Sequence, residues 1–422
     1  MTRMTVPQGA ALSIGAVLGT GVIALPALAA ETAGPASLVA WLALIALSVP
    51  LATTFAALGA RYPDSGGVST YVRRAFGPRA AAVVGWCFYF AIPAGAPAAA
   101  MFAGAYVSAA VGGGKSTTLI TGALLIAFVT ATNAGGLRIS GRLQFGLAAL
   151  LVALLLTATL TALPHARLDN LQPFAPHGWL AIGPAAALLV WGFAGWEAVT
   201  HLAADFRHPA RDLPRATVIA VAVVGLLYFA IAAASVLVLG AAAGTSDAPL
   251  AELLAIGVGG EVRVLAAGAA LLLTIGAMNA YFAGGAKLGA ALGRDGALPT
   301  WFARGSEAGT VPRRSLSVIA GLSTVSLGAV AVTDADPRPS VLLTTGCFAM
   351  VYVLGMAAAL RLLPRGTWSH RTATVALVAV VALLLLTGRY MVGALAIAAA
   401  ALIYDARYAG RDAAASALSS RK

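Results

Sequence analysis

Charge is what this chain has least of. Its 422 residues carry only 27 Lys and Arg and 15 Asp and Glu, 10% in all, while 60% are apolar. Soluble domains carry about 25% charged residues, so a chain this long could not clothe its surface in water, and an ordinary soluble fold is excluded. Cysteine is nearly missing: Cys87 and Cys347 sit in apolar runs with no ligand set beside them, which excludes a disulfide framework and a zinc site. Lysine is scarce, with Lys115, Lys287 and Lys422 alone among the basic residues. Neither His-Glu-x-x-His nor Gly-x-Ser-x-Gly occurs, and Gly112 to Ser116, which looks like the end of a phosphate-binding loop, has Ala109 where the first glycine is required. No enzyme chemistry, metal or cofactor is implied.

What is present is a series of long gaps between charges. A membrane-crossing helix needs about 20 residues without fixed charge, because the hydrocarbon is about 30 Å thick and a helix rises about 1.5 Å per residue. Residues 4–30, 32–60, 80–114, 116–137, 143–166, 170–196, 216–246, 264–286, 315–333, 339–360, 372–388 and 390–404 contain no Asp, Glu, Lys or Arg. Twelve crossings are predicted, the last two short and parted only by Arg389, whose apolar stem lets its head reach the interface. With the N-terminus inside, 22 of the 27 basic residues fall in inner segments, and Lys115, Arg167, Arg263, Arg338 and Arg389 in outer ones. That asymmetry sets orientation. The net charge of +12 is therefore a topology signal spread over every inner loop, and not a nucleic-acid footprint. The expectation is an all-α polytopic membrane protein in a bacterial inner membrane, both termini cytoplasmic.

One acid is left in the membrane. Glu197 lies inside the sixth crossing, placed from Trp179 to Asp205, and an ionisable group at that depth costs about 2.5–3.5 kcal/mol. His201 shares its helix face four residues on. It reads either as a proton partner in a hydrated cavity or as a structural histidine, and Glu197 itself either as a working group or as a lock on loose backbone.

The same crossing holds Gly192 and Gly195, and the first crossing holds Gly15, Gly19 and Gly21 near its centre. Glycine weakens a helix by about 1 kcal/mol relative to Ala. Non-helical backbone in lipid is tolerated only where it lines a cavity or is buried by protein, so two discontinuous helices, 1 and 6, predict a site at mid-membrane. They begin two successive five-helix sets, as a 5+5 inverted repeat requires. The predicted units are residues 1–163, 164–363, a two-helix hairpin at 364–408 and a tail at 409–422. Where helix 1 restarts near Thr20 and Gly21, free N–H groups would hold a carboxylate. Carbonyls near Val17, Trp191 and Ala194 would take an ammonium, and the two polarities together suit an α-amino acid. The competing reading of Gly15-x-x-x-Gly19 is a helix-packing patch. Gly285-x-x-x-Gly289-x-x-x-Gly293 reads equally as an oligomer contact or as internal packing. The segment with Tyr71, Arg73, Arg74 and Phe76 reads as an amphipathic hairpin or short helix near an inner gate, or as a surface anchor.

Several stretches together resemble the amino acid–polyamine–organocation transporter superfamily, and within it the short bacterial exporters of methionine and branched-chain amino acids. They are Leu18-Gly19-Thr20-Gly21-Val22 with Pro26 to Ala30, Tyr62 to Val68 with Ala75-Phe76-Gly77, Ile92 to Ala99, and Glu197-Ala198 through His201-Leu202-Ala203 to Arg215-Ala216. The resemblance covers about residues 1–330. It implies the LeuT-like arrangement of twelve helices, two inverted five-helix repeats plus two C-terminal helices. It also implies substrate carboxylate on Thr20 and Gly21, substrate amine on Val17, Trp191 and Ala194, Trp191 covering the site, and Glu197 in gating or proton linkage. Residues 143–166 lack the lysine that replaces a coupling sodium in many members, and Ala277 and Asn279 stand where a Ser/Thr pair would support sodium. A proton is the expected coupling ion.

The expected function is proton-linked efflux of methionine, leucine, isoleucine and valine by alternating access. Uptake of the same substrates by proton symport is the nearer alternative, and a non-transporting amino-acid receptor or scaffold the more distant one.

Overall fold

The structure is a computed structural model. It describes residues 4–19, 21–62, 67–136, 141–197, 200, 206, 208–259, 262–307 and 310–419, with side chains except at 141–145 and 408–419. Fifteen α-helices are seen among these residues: α1 (Val6–Val17), α2 (Gly21–Ala33), α3 (Ser37–Arg61), α4 (Gly67–Phe76), α5 (Pro78–Val111), α6 (Gly114–Ala134), α7 (Gly141–Ala162), α8 (Ile182–Phe193), α9 (Pro209–Ala234), α10 (Pro249–Val258), α11 (Val262–Arg294), α12 (Arg313–Thr333), α13 (Arg338–Leu362), α14 (Trp368–Leu386) and α15 (Met391–Ser419). Apolar segments in lipid must satisfy their own backbone, and the helix does so within one segment. Proline opens α5, α9 and α10, where its missing N–H costs nothing. Gly112 and Gly259 stop α5 and α10 at φ +83° and +80°, backbone that glycine adopts freely.

Ten helical stretches among the described residues are long and apolar enough to cross a membrane. The charge gaps predicted twelve. The difference lies at the two glycine-rich crossings: α2 and α3 run together as one apolar stretch, Gly21–Arg61, while Val6–Val17 and Trp179–Phe193 are each too short to cross alone. The gaps on either side of Arg389 both form helices. The short helix α10, which lies in the chain between α9 and α11, was not expected.

Two sets of closely packed helices stand out, joined by α13, which packs on both α5 and α8. In one, α3 packs on α8 and α9, α1 on α9, and α2 on α8; in the other, α5, α6, α11 and α12 pack on one another. The division recurs in the interior, where Tyr89, Met278, Phe282, Leu316 and Ile319 belong to a separate apolar cluster from the larger one that holds Leu25, Trp41, Phe193 and Tyr228. Trp191 is packed against both. Glycines let helix backbones approach closely. A Cβ on Gly104 would lie 2.4 Å from the Thr118 carbonyl oxygen, joining α5 to α6. The Gly285, Gly289 and Gly293 stripe is internal packing: a Cβ there would strike Ile92, Ser315 and Ala303 at 2.2, 2.2 and 2.7 Å.

The amphipathic segment is the short helix α4, with Val68, Tyr71 and Val72 buried against the protein while Arg73 and Arg74 stay exposed. Beyond the second break, Phe206 forms an isolated parallel bridge with Met4, and its ring occupies the space a Cβ on Gly9 would need.

Candidate functional site

Helix α1 ends at Val17, and Leu18 leaves helical geometry at ψ 87°. Helix α2 begins at Gly21, so its first N–H groups have no partner within the helix. Helix α8 ends at Phe193; Ala194 turns extended at ψ 141°, and Gly195 takes φ +123°. The ends of α1 and α8 lie beside Gly19 and Gly195. Thr20 and His201, named as site residues from the sequence, lie outside the described residues.

The breaks touch. A Cβ on Gly21 would lie 2.9 Å from Trp191 Cδ1 and 3.3 Å from Gly192 Cα, and one on Gly195 would lie 2.7 Å from the Ala16 carbonyl oxygen. Tyr228, from α9, ties them: its hydroxyl stands 2.9 Å from Val17 O and 2.8 Å from Gly192 O, its single proton shared between the two carbonyls. Of the carbonyls expected to meet an ammonium, that of Val17 thus already accepts from Tyr228, and that of Trp191 accepts from the Ala194 N–H at 3.4 Å. Each keeps a second lone pair. The Ala194 carbonyl has no partner among the described residues.

A cavity of about 470 Å³ opens at this contact. Val17, Gly19, Gly21, Trp191, Ala194 and Glu197 line it at the breaks, with Gly15, Gly192 and Gly195 beside them. Ile92, Ala96, Ala99 and Phe348 give it apolar walls, and at its far end it reaches Gly136, Lys287 and residues 310–312. The Trp191 ring meets Phe102 edge to face with centroids 6.1 Å apart, and it fits only because Gly21 and Gly95 lack side chains.

Glu197 is 7% exposed, and one of its carboxylate oxygens is engaged twice. Its Oε2 accepts from Tyr352 Oη at 2.5 Å and from the Gly195 N–H at 3.0 Å, while that N–H also lies 3.1 Å from the Tyr352 oxygen. Thr200 donates its hydroxyl to the Glu197 carbonyl at 2.6 Å. The carboxylate therefore bridges the second break to α13. A second buried polar group lines the cavity where Asn133 Nδ2 donates to Asn279 Oδ1 at 2.8 Å, joining α6 to α11.

Tyr228, Tyr352 and the Asn133–Asn279 pair were not singled out as site residues from the sequence. Each lies on a helix other than the interrupted ones, and an isolated tyrosine or asparagine in an apolar run carries no spacing signal. That Asn133 and Asn279 are each the single asparagine of a charge-free window is the one cue that could have found them.

Residues 5–406 match the profile of the amino acid permease family. The uncharacterized amino acid permease YecA of Bacillus subtilis (strain 168) is 34% identical over 373 residues, 87% of this chain and 88% of that one. The L-methionine/branched-chain amino acid exporter YjeH of Escherichia coli (strain K12) is 33% identical over 366 residues, 84% of this chain and 85% of that one. The branched-chain amino acid permease BcaP of Bacillus subtilis (strain 168) is 27% identical over 240 residues, 53% of this chain and 52% of that one.

Proposed function

This chain belongs to the amino acid permease family, a multi-pass membrane transporter and not an enzyme, and from that premise we propose that it exports small apolar L-amino acids by alternating access, linked to protons. Methionine, leucine, isoleucine and valine are the substrates. Support for export, and for these side chains, comes from the similarity to YjeH.

The proposed layout has twelve crossings with both termini in the cytoplasm. Helices α1 and α2 make the first, α3 the second, α5 to α7 the next three, α8 and the residues after its break the sixth. Helices α9, α11, α12 and α13 follow, and α14 and α15 form the hairpin. The repeats are residues 1–163 and 164–363, the hairpin 364–408 and the tail 409–422. Under this layout the cavity opens toward the cytoplasm through residues 310–312, an inward-facing state.

The observation that carries the reading is the contact of the two breaks beside an apolar cavity. There the α2 N-terminus, from Thr20 and Gly21 onward, offers N–H groups and a positive dipole end to a carboxylate. The carbonyls of Val17, Trp191 and Ala194 offer lone pairs to an ammonium. The cavity walls supply no charge for an acidic or basic side chain near the breaks other than Glu197, which Tyr352 and Gly195 already occupy. Glu197 is the proposed proton carrier, with His201 its partner, and Trp191 the lid joining the two packed groups that would move against each other.

Flux in proteoliposomes under an imposed pH gradient, measured with substrate supplied on either side, tests this. The proposal expects an outward gradient of methionine to be built by an inward proton gradient. Accumulation in the opposite sense would make the protein a symporter for uptake, and saturable binding without flux would make it a receptor.

A further inference from the structure

Lys287 is where the cavity meets a fixed positive charge. It lies on α11 and lines the cavity together with Gly276, Ala280 and Ala283. The steps between these four positions are four, three and four residues, which puts them on one helix face. Along the axis the stripe runs about 16 Å, at about 1.5 Å per residue. Above the lysine these positions carry no side chain larger than a methyl group; Met278, Asn279, Tyr281 and Phe282 line the cavity beside them, so this wall carries no charge until it reaches the ammonium.

Among the described residues no acid is paired with that charge. Lys287 has no ion pair or hydrogen bond among the described residues, whereas Lys115 is paired with Asp334. Lys287 is exposed at the opening, and a fixed charge at the mouth of a cleft draws counter-ions toward it. Arginine outnumbers lysine 24 to 3 in this chain, yet the cavity carries the lysine. A compact, strongly hydrated ammonium holds a carboxylate as a point charge, without the two-pronged grip of a guanidinium, which suits a contact that must be released.

Resting on the transport reading above, we propose that Lys287 is the first landing point of the substrate carboxylate between the cavity mouth and the breaks. It is a specificity determinant: it draws in zwitterions with neutral side chains and turns away those whose side chain is cationic.

The test is methionine flux in oriented proteoliposomes, with substrate presented at the inner mouth or at the opposite side, at low and at high ionic strength. Lys287→Gln is expected to raise KM about threefold to tenfold at the inner mouth in low salt, to flatten its salt dependence, and to leave the maximal rate and the KM of the other side unchanged. Competition by arginine at the inner mouth should strengthen. Lys287→Arg should keep the low KM. An unmoved KM, an equal change on both sides, or a loss confined to the maximal rate would overturn the assignment. Absence of flux from the wild-type protein would instead remove the transport reading, and the landing point with it.

Discussion

A Cβ placed on Gly195 would stand 2.7 Å from the carbonyl oxygen of Ala16. The two interrupted helices therefore meet backbone to backbone, and no residue larger than glycine fits between them. Gly195 is also at φ +123°, where an L side chain is strained. Gly195→Ala is expected to lower stability by about 1–3 kcal/mol and to abolish transport. Gly19→Ala is the contrast: the nearest atom to its Cβ is 3.9 Å away, so it should fold with near-native stability. Thermal unfolding of the purified variants, read beside flux, checks the pair.

Among the described residues, Tyr228 is the one side chain that hydrogen-bonds to both breaks, through Val17 O and Gly192 O. Tyr228→Phe removes the shared proton and leaves two buried carbonyls short of a donor, a loss of about 1–3 kcal/mol. The unfolding midpoint should fall while the fold, read by circular dichroism, stays helical.

Removing the acid while keeping its shape separates coupling from binding. Glu197→Gln is expected to retain methionine exchange in the absence of a gradient and to lose the response to an imposed pH gradient. Tyr352→Phe deletes the hydroxyl that donates to Glu197 and should shift the pH profile of exchange without ending it. Exchange rates across a pH series measure both. An undiminished gradient response in Glu197→Gln would remove this residue from the coupling role.

Asn133 and Asn279 join α6 to α11 through a buried hydrogen bond of 2.8 Å. Asn133→Leu leaves the Asn279 carbonyl oxygen without that donor and should cost about 1–3 kcal/mol. Replacing both by leucine should cost less than the sum of the single changes. A double-mutant cycle by chemical or thermal unfolding gives the coupling directly.

Much of this fold could be read from where charge is missing. Arg and Asp at the ends of apolar windows mark the crossings because lipid penalises them, and the windows flanking Arg389 follow the same rule. The interruptions at Gly19 and Gly195 were legible because three glycines in seven residues, or two in four beside a buried acid, have few other uses in a membrane. Helix α10 was not, since Glu252 splits its short apolar run and ten residues are too few to signal a crossing. Nor was the role of Tyr228 or of Tyr352: Tyr228 reaches partners 211 and 36 residues away and Tyr352 one 155 residues away, and only the packed bundle brings them together. The Gly285 stripe allowed two readings because small residues serve helix contacts within and between chains alike. Its neighbours, Ile92 and Ser315, decide for the interior.

Counterflow of radiolabelled methionine into liposomes loaded with unlabelled methionine addresses the central claim, that the paired breaks seize and carry an apolar amino acid. The account predicts a transient overshoot of label, suppressed by excess leucine, isoleucine or valine, untouched by glutamate, and absent from Gly195→Ala. An overshoot that survives in a folded Gly195→Ala protein, or one competed equally by charged amino acids, would contradict it.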